Sequence, residues 1–272
     1  MGSIVRLIPS FRVVRRTLEC EIAYTVSRLR VLERLPGNPV GIDLRHLEGG
    51  AVALMARHLP VANFNSVVGL RAGHEHHLEA LVAWYRSAGV KPQLETVPGY
   101  YDPALGRELV RLGFFQSGFH AALVCDPDQR PLAAAPDISV EQVTSSSVLE
   151  EFLDAYIAGR GLPDGEAFKA NVRPWLHEPG WWLYLGRADG APAAAAILYL
   201  NEKVGYCADA TTNPAFRGRG LQTALLAHRI ADARDAGVDF ICSGAELLSQ
   251  SHRNMERVGM RVLFVRALWT EL

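Results

Sequence analysis

The sequence predicts a mixed α/β (α+β) chain built as two domains. Three observations support this. First, 272 residues, 49% of them apolar, supply two cores of ordinary size. Second, apolar runs of strand length alternate with runs at helical spacing in both halves. Third, residues 126–136 combine Pro127, Pro131 and Pro136 with several charges and an alanine run, the composition of a linker. The expected domains are therefore 1–130 and 137–272.

In the first half, residues 12–35 place apolar side chains at mixed helical spacing and predict a helix. Residues 65–70 predict a strand, 75–88 a helix, 93–97 a strand, 103–112 a helix and 114–124 the closing strands. In the second half, residues 138–143 alternate apolar and polar side chains, as a half-buried strand does. Ser145, Ser146 and Ser147 offer caps to an amphipathic helix reaching Ala158, with Val148, Phe152, Tyr156 and Ile157 near one face. A second helix over 165–173 ends or kinks at Pro174. Residues 181–187, 193–200 and 204–212 predict three successive strands. Pro192 suits the entry to the middle one, since it cannot donate to a ladder. Asp189-Gly190 and Asn201-Glu202 are the expected hairpin turns. A helix over 221–236 follows, with Gly237 as C-cap, then a strand over 238–242. A short helix over 249–257 with a serine cap and a strand-like run over 261–272 close the chain.

The most informative stretch is Phe216-Arg217-Gly218-Arg219-Gly220-Leu221-Gln222, set between a strand and a helix. The first amides of a helix lack internal acceptors and sit at its positive dipole end. Glycines let a ligand approach the backbone, and Arg217 and Arg219 add phosphate-binding donors. A ligand bearing a pyrophosphate fits such a turn. Neither the G-x-x-x-x-G-K-[ST] nor the G-x-G-x-x-G pattern is present.

The turn resembles the R-x-x-G-x-[GA] signature of the GNAT acyltransferase superfamily. Arg217 and Gly220 match it, and Gln222 stands where glycine or alanine is usual. The order of elements from 137 to 272 also resembles that family's second half: fourth strand, coenzyme helix, fifth strand, short helix, closing strands. The family's short helix often ends in Y-x-x-x-G-F, where this chain has Met255-Glu256-Arg257-Val258-Gly259-Met260.

The resemblance implies two GNAT-like domains, each a mixed, mostly antiparallel sheet flanked by helices, with splayed fourth and fifth strands in the C-terminal one. It implies acetyl-CoA as cosubstrate, no metal, and N-acetylation of the primary amine of a small molecule by direct attack on the thioester. The backbone of Ala210, Thr211 and Thr212 would pair with the pantetheine arm like an added strand. The amides of Arg217, Gly218, Arg219, Gly220, Leu221 and Gln222 would hold the pyrophosphate. Asn254 would contact the pantetheine arm or the sulfur, or else be a solvated helix residue. Asp209 and Glu246 are the candidate bases. Asp209 has the alternative of pairing with an arginine, and Glu246 of capping a turn.

The usual tyrosine acid falls at Met255, and methionine cannot donate a proton. Three readings remain open. The thiol, with a pKa of roughly 8.5, leaves as thiolate unaided. Tyr206, Ser249 or Ser251 replaces the tyrosine. Or the domain is a non-catalytic coenzyme A sensor or interaction module.

The first half repeats the strand–helix order of the second, and Leu109-Val110-Arg111-Leu112-Gly113-Phe114 echoes the stretch at 255–260. At the position of the glycine turn it has Gly69-Leu70-Arg71-Ala72-Gly73-His74-Glu75-His76-His77, without the signature. This suggests a degenerate first domain of a tandem GNAT protein; an unrelated α/β domain is the alternative. The histidines do not reproduce H-E-x-x-H spacing and read as a solvated helix start.

A net charge of −1 and a pI of 6.8 argue against nucleic acid and anionic membranes as partners. No uninterrupted apolar run reaches about 18 residues, so no membrane span is expected. Arg6, Arg12, Arg15 and Arg16 interrupt any signal-peptide core, so a cytoplasmic location is expected. The dispersed Cys20, Cys125, Cys207 and Cys242 read as reduced, buried thiols. Trp181 and Trp182 suit either the wall of an acceptor cleft or the core. A homodimer is compatible with these features.

Overall fold

The computed structural model describes residues 10–128, 135–162 and 165–272. Arg6 and residues 129–134 of the expected linker lie outside the described residues. The elements in chain order are α1 (Phe11–Glu33), β1 (Ile42–His46), β2 (Val52–Ala56), β3 (Ser66–Leu70), α2 (Glu75–Ser87), β4 (Gln93–Thr96), α3 (Pro103–Arg111) and β5 (Phe114–Cys125). They continue with β6 (Ile138–Gln142), α4 (Ser146–Arg160), α5 (Glu166–Val172), β7 (Trp181–Ala188), β8 (Ala191–Asn201), β9 (Val204–Thr212), α6 (Leu221–Asp235), β10 (Phe240–Glu246), α7 (Gln250–Arg257) and β11 (Arg261–Glu271). The fold is mixed α/β, sheet flanked by helices. Two compact units divide the chain: Phe11–Ala122 with Phe264–Leu272, and Leu123–Leu263.

In the first unit β1, β2 and β3 are antiparallel neighbours, β3 and β4 are parallel, and β4 pairs antiparallel with β11. α2 and α3 cover one face, with Leu78, Leu81, Tyr85, Leu105 and Leu109 packed on Met55, Val67 and Leu94. α1 contributes Leu29 and Leu32 to a second cluster with Ile42, Val52 and Leu54. α3 starts where Pro103 follows Asp102, whose carboxylate accepts from the Ala104 amide at 2.7 Å. Residues 114–124, expected as more than one strand, form part of the single strand β5.

This unit buries charge. Arg266 on β11 donates to Glu21 on α1 at 2.5 Å and to Glu95 on β4 at 2.7 Å. The imidazole of His120 on β5 is pushed down to about 4 by burial first, with the Arg266 cation adding to it and Glu95 opposing. The sign of the consequence follows from linkage. The unfolded chain takes up a proton at about pH 6.5, whereas folded His120 does so only near 4. Acidification from 6.5 to 4 therefore favours the unfolded state, and this contribution is absent above 6.5. His120→Asn should flatten the fall in urea-unfolding free energy across that window by about 3 kcal/mol. An unchanged slope in the variant would place the acid sensitivity elsewhere.

In the second unit β6, β7, β8 and β9 are sequential antiparallel neighbours, and β10 joins β9 in parallel. Ala193, Ala194, Ala195 and Ala196 on β8 are fully buried, and their small side chains let α4 and α6 approach the sheet closely. α4 is capped by Ser145, which accepts from the Val148 amide, and α7 by Ser249, which accepts from the His252 amide. α5 stops at Val172, and a short 3-10 turn beginning at Arg173 carries Pro174. Asp189 and Gly190 turn with φ of 50° and 80°, as a tight hairpin requires. The next hairpin centres on Glu202 and Lys203, one residue beyond the expected pair, with φ of 43° and 64°. All four cysteines are free and buried.

Candidate functional site

The site is built where β9 leaves β10 and bulges against β8. The parallel ladder with β10 runs from Phe240↔Val204 to Ser243↔Cys207 and stops, while β9 continues to Thr212 and β10 to Glu246. The buried Ser243 hydroxyl donates to the Cys207 carbonyl at 2.7 Å, closing the last rung with a side chain. On the other side, Ala195 pairs with Thr211 but Ile197 pairs with Ala208, so β9 carries one residue more than β8. That is a β-bulge, and Asp209 within it has φ of 43°. A left-handed non-glycine residue in a strand is a strained arrangement, held by its surroundings. Arg229 of α6 fills the bulge from behind, donating to Ile197 O at 2.7 Å and Ala208 O at 3.1 Å. Ala210, Thr211 and Thr212 are half-buried at the resulting edge.

Beyond β9, Asn213 accepts from the Ala215 amide at 3.1 Å and starts a 3-10 turn over Pro214–Phe216. Gly218 and Gly220 follow with φ of 82° and 91°. α6 then begins at Leu221 with no side-chain cap, unlike α3, α4 and α7. A Cβ on Gly218 would meet nothing within 4 Å, and one on Gly220 only Ile138 Cδ1 at 3.9 Å. The turn is therefore an open cradle of uncapped amides at the positive end of a helix dipole.

The side chains around it divide unequally. Arg217 is exposed and lies along the chain, donating to Thr212 O at 3.3 Å. Arg219 is occupied by Asp137 and, at 2.7 Å, by Asp189, which leaves its backbone amide as its offering to a ligand. Leu221 turns into the core. Gln222 bridges α6 to α7: its amide nitrogen donates to Ser251 Oγ at 2.9 Å and its carbonyl accepts from Asn254 at 2.5 Å. Asn254 also accepts from Gln250 and Arg257. The residue that departs from the signature thus holds the helix carrying Asn254.

Asp209 is paired with Arg160 at the C-terminal end of α4, and that guanidinium also lies over the Tyr156 ring at 4.8 Å. Glu246 is exposed at the end of β10, beyond the last rung shared with β9. Met255 is buried, Ser249 caps α7, Ser251 is engaged by Gln222, and Tyr206 is half-buried on β9. Burial pushes the Cys207 thiol up, which leaves it a poor nucleophile. Trp181 is 4% exposed and packs on Trp175 and Tyr199, so it belongs to the core, whereas Trp182 is half-buried.

Three contributors were not foreseen: Arg160 and Ser243, which have no local sequence signal, and Arg229. For Arg229 one trace exists. It falls between Leu225, Leu226, Ile230 and Ala233, on the apolar side of α6, where a surface arginine would not be placed.

This architecture is a fold of the GNAT type. The sequence model described as "Acetyltransferase (GNAT) domain" matches residues 128–247. Solved structures extend the likeness to the whole chain. A GCN5-related N-acetyltransferase from Kribbella flavida superposes with a TM-score of 0.63 at 18% identity, covering 92% of this chain and 95% of its own. One from Sphaerobacter thermophilus gives 0.63 at 18% identity, with 98% and 94% covered. A tandem GNAT protein from the clavulanic acid biosynthesis pathway gives 0.62 at 13% identity, with 98% and 97% covered. At these identities the likeness is one of fold. No curated protein matches the chain. Among the described residues no helix is long and apolar enough to cross a membrane.

Proposed function

We propose that the chain is an acetyl-CoA-dependent N-acetyltransferase acting on the primary amine of a small molecule. The observation that carries this reading is the uncapped start of α6 behind Gly218 and Gly220, at the end of a strand that runs on past its last rung with β10. An uncapped amide cradle suits a pyrophosphate, and an open strand edge suits an amide-bearing arm that pairs like a further strand. In this reading the amides of 218–222 hold the phosphates, the Arg217 amide being engaged by Pro214 O at 3.4 Å, and the edge at Ala210, Thr211 and Thr212 holds the pantetheine. An amide at that edge polarises the thioester carbonyl.

Glu246 is the better placed base. Its side chain makes no hydrogen bond or ion pair among the described residues, whereas Asp209 is committed to Arg160. Glu246 takes the proton of the attacking amine, the amine nitrogen bonds to the acetyl carbon, and the carbon–sulfur bond breaks to release the thiolate. Glu246→Gln should lower kcat about 10²–10⁴-fold and leave the KM for acetyl-CoA within a factor of about three. Equal activity in that variant would remove Glu246 from the chemistry.

The first unit reads as a domain of the same kind without its coenzyme site. β3 and β4 are parallel like β9 and β10, and β3 also carries an irregularity, at Gly69 with φ of 77°. At the start of α2, however, the Gly73 amide is taken by Glu75 at 2.8 Å and the Arg71 amide faces the buried His74 ring. A carboxylate already holds the place a phosphate would need.

The buried Met255 favours a second reading, a non-catalytic coenzyme A-binding module. Free-thiol release from acetyl-CoA across a panel of amines separates the two. Release dependent on one class of amine supports the enzyme; tight coenzyme A binding with no release for any amine supports the module.

A further inference from the structure

We propose that Arg229 is the positioning residue of the coenzyme-facing edge: a buried guanidinium that holds the β9 bulge open from behind and thereby aims the amides of Ala210, Thr211 and Thr212. This rests on the functional reading above and adds a residue to it. A bulge disrupts its ladder locally and leaves backbone groups without their usual partners. Buried carbonyls left so are costly. Here the two carbonyls flanking the irregularity, Ile197 O and Ala208 O, both accept from one nitrogen of Arg229. Its Nε donates to Leu225 O at 3.0 Å on the previous turn of α6, fixing the fork.

Arg229 is 1% exposed, and among the described residues no carboxylate pairs with it. A buried cation solvated by backbone carbonyls alone is an expensive way to stabilise a core, since an apolar side chain packs there at less cost. What the guanidinium supplies and a leucine cannot is a rigid donor that satisfies both edges of a strand irregularity at once. On the opposite edge Ser243 takes the Cys207 carbonyl. Successive carbonyls of β9 are thus satisfied by side chains where the strand bulges against β8 and leaves β10. Arg229 also explains how Asp209 is kept in its left-handed conformation, next to the anchored Ala208.

The test compares wild type with Arg229→Lys and Arg229→Met by hydrogen–deuterium exchange, with and without coenzyme A, alongside melting temperature and acetyl-transfer kinetics. Lysine keeps the charge and donor capacity on a single nitrogen but loses the planar fork; methionine keeps only the unbranched apolar stem. In the free protein we expect amides 208–212 to exchange at least about tenfold faster in both variants, more in Arg229→Met, with protection elsewhere retained. With coenzyme A, the 217–222 turn should stay protected in Arg229→Lys while 210–212 lose their protection. The affinity for coenzyme A should stay within a factor of about three while kcat falls at least about tenfold, a split that lost stability alone does not produce. Unchanged exchange of 208–212 in the variants overturns the proposal. So does a parallel loss of affinity, kcat and melting temperature, or failure of both variants to fold, since these assign Arg229 to the core alone. If the wild type takes up no coenzyme A, the functional reading fails, and the exchange comparison on free protein still decides the role of Arg229.

Discussion

Gly220→Glu should abolish coenzyme A binding, weakening it at least about 100-fold, or about 2.7 kcal/mol. Two effects add. Gly220 has φ of 91°, a conformation that costs an L residue roughly 1–3 kcal/mol, so the amides after it would be displaced. A carboxylate at the first uncapped turn of α6 would also occupy the amides itself and repel phosphate. Gly220→Ala separates the two. A methyl group meets only Ile138 Cδ1 at 3.9 Å, so alanine brings strain without charge and should weaken binding less than about tenfold. Titration calorimetry on the three proteins checks the order. Equal affinity in the glutamate variant would falsify the turn assignment.

Arg266→Met should destabilise the first unit strongly, by about 3–5 kcal/mol. It removes the cation between Glu21 and Glu95, whose side chains are only 8% and 17% exposed, and leaves two largely desolvated carboxylates without a counter-charge. A loss of that size corresponds to a melting temperature lower by roughly 10 °C in a chain of this length. The asymmetry of buried ion pairs supplies the internal control. Replacing Arg266, Glu21 and Glu95 together by apolar residues should recover most of the loss, because the cost lies in the unpaired charge rather than in the missing bond. Denaturant unfolding of both variants checks this. A single variant as stable as wild type would mean that water reaches the cluster.

The parts legible in the sequence are those written in local pattern. The caps Ser145 and Ser249, the glycine turn, the helix–strand alternation after it and the left-handed Gly237 follow from residue types at fixed offsets. Two strands of the first unit were not legible. β2 is Val-Ala-Leu-Met-Ala with every residue buried, so it lacks alternation and is rich in good helix formers. β1 is only five residues long, and the Gly49-Gly50 turn after it is the one local sign of a hairpin. The partner of β11 was hidden as well, because Thr270 pairs with Gln93 and no local pattern reports so distant a register. At the site, the turn was legible because its chemistry is backbone and glycine. The bulge was not, because a bulge is an offset between two strands and appears in neither alone. Arg219 reads as a phosphate ligand until Asp137 and Asp189 are seen to hold it.

The central claim is that one amide cradle, at the start of α6, binds coenzyme A. Calorimetric titration of the purified chain with coenzyme A tests it most directly. The account predicts saturable binding of one molecule per chain, lost in Gly220→Glu. No heat of binding at any concentration, or a second equivalent site from the first unit, would contradict it.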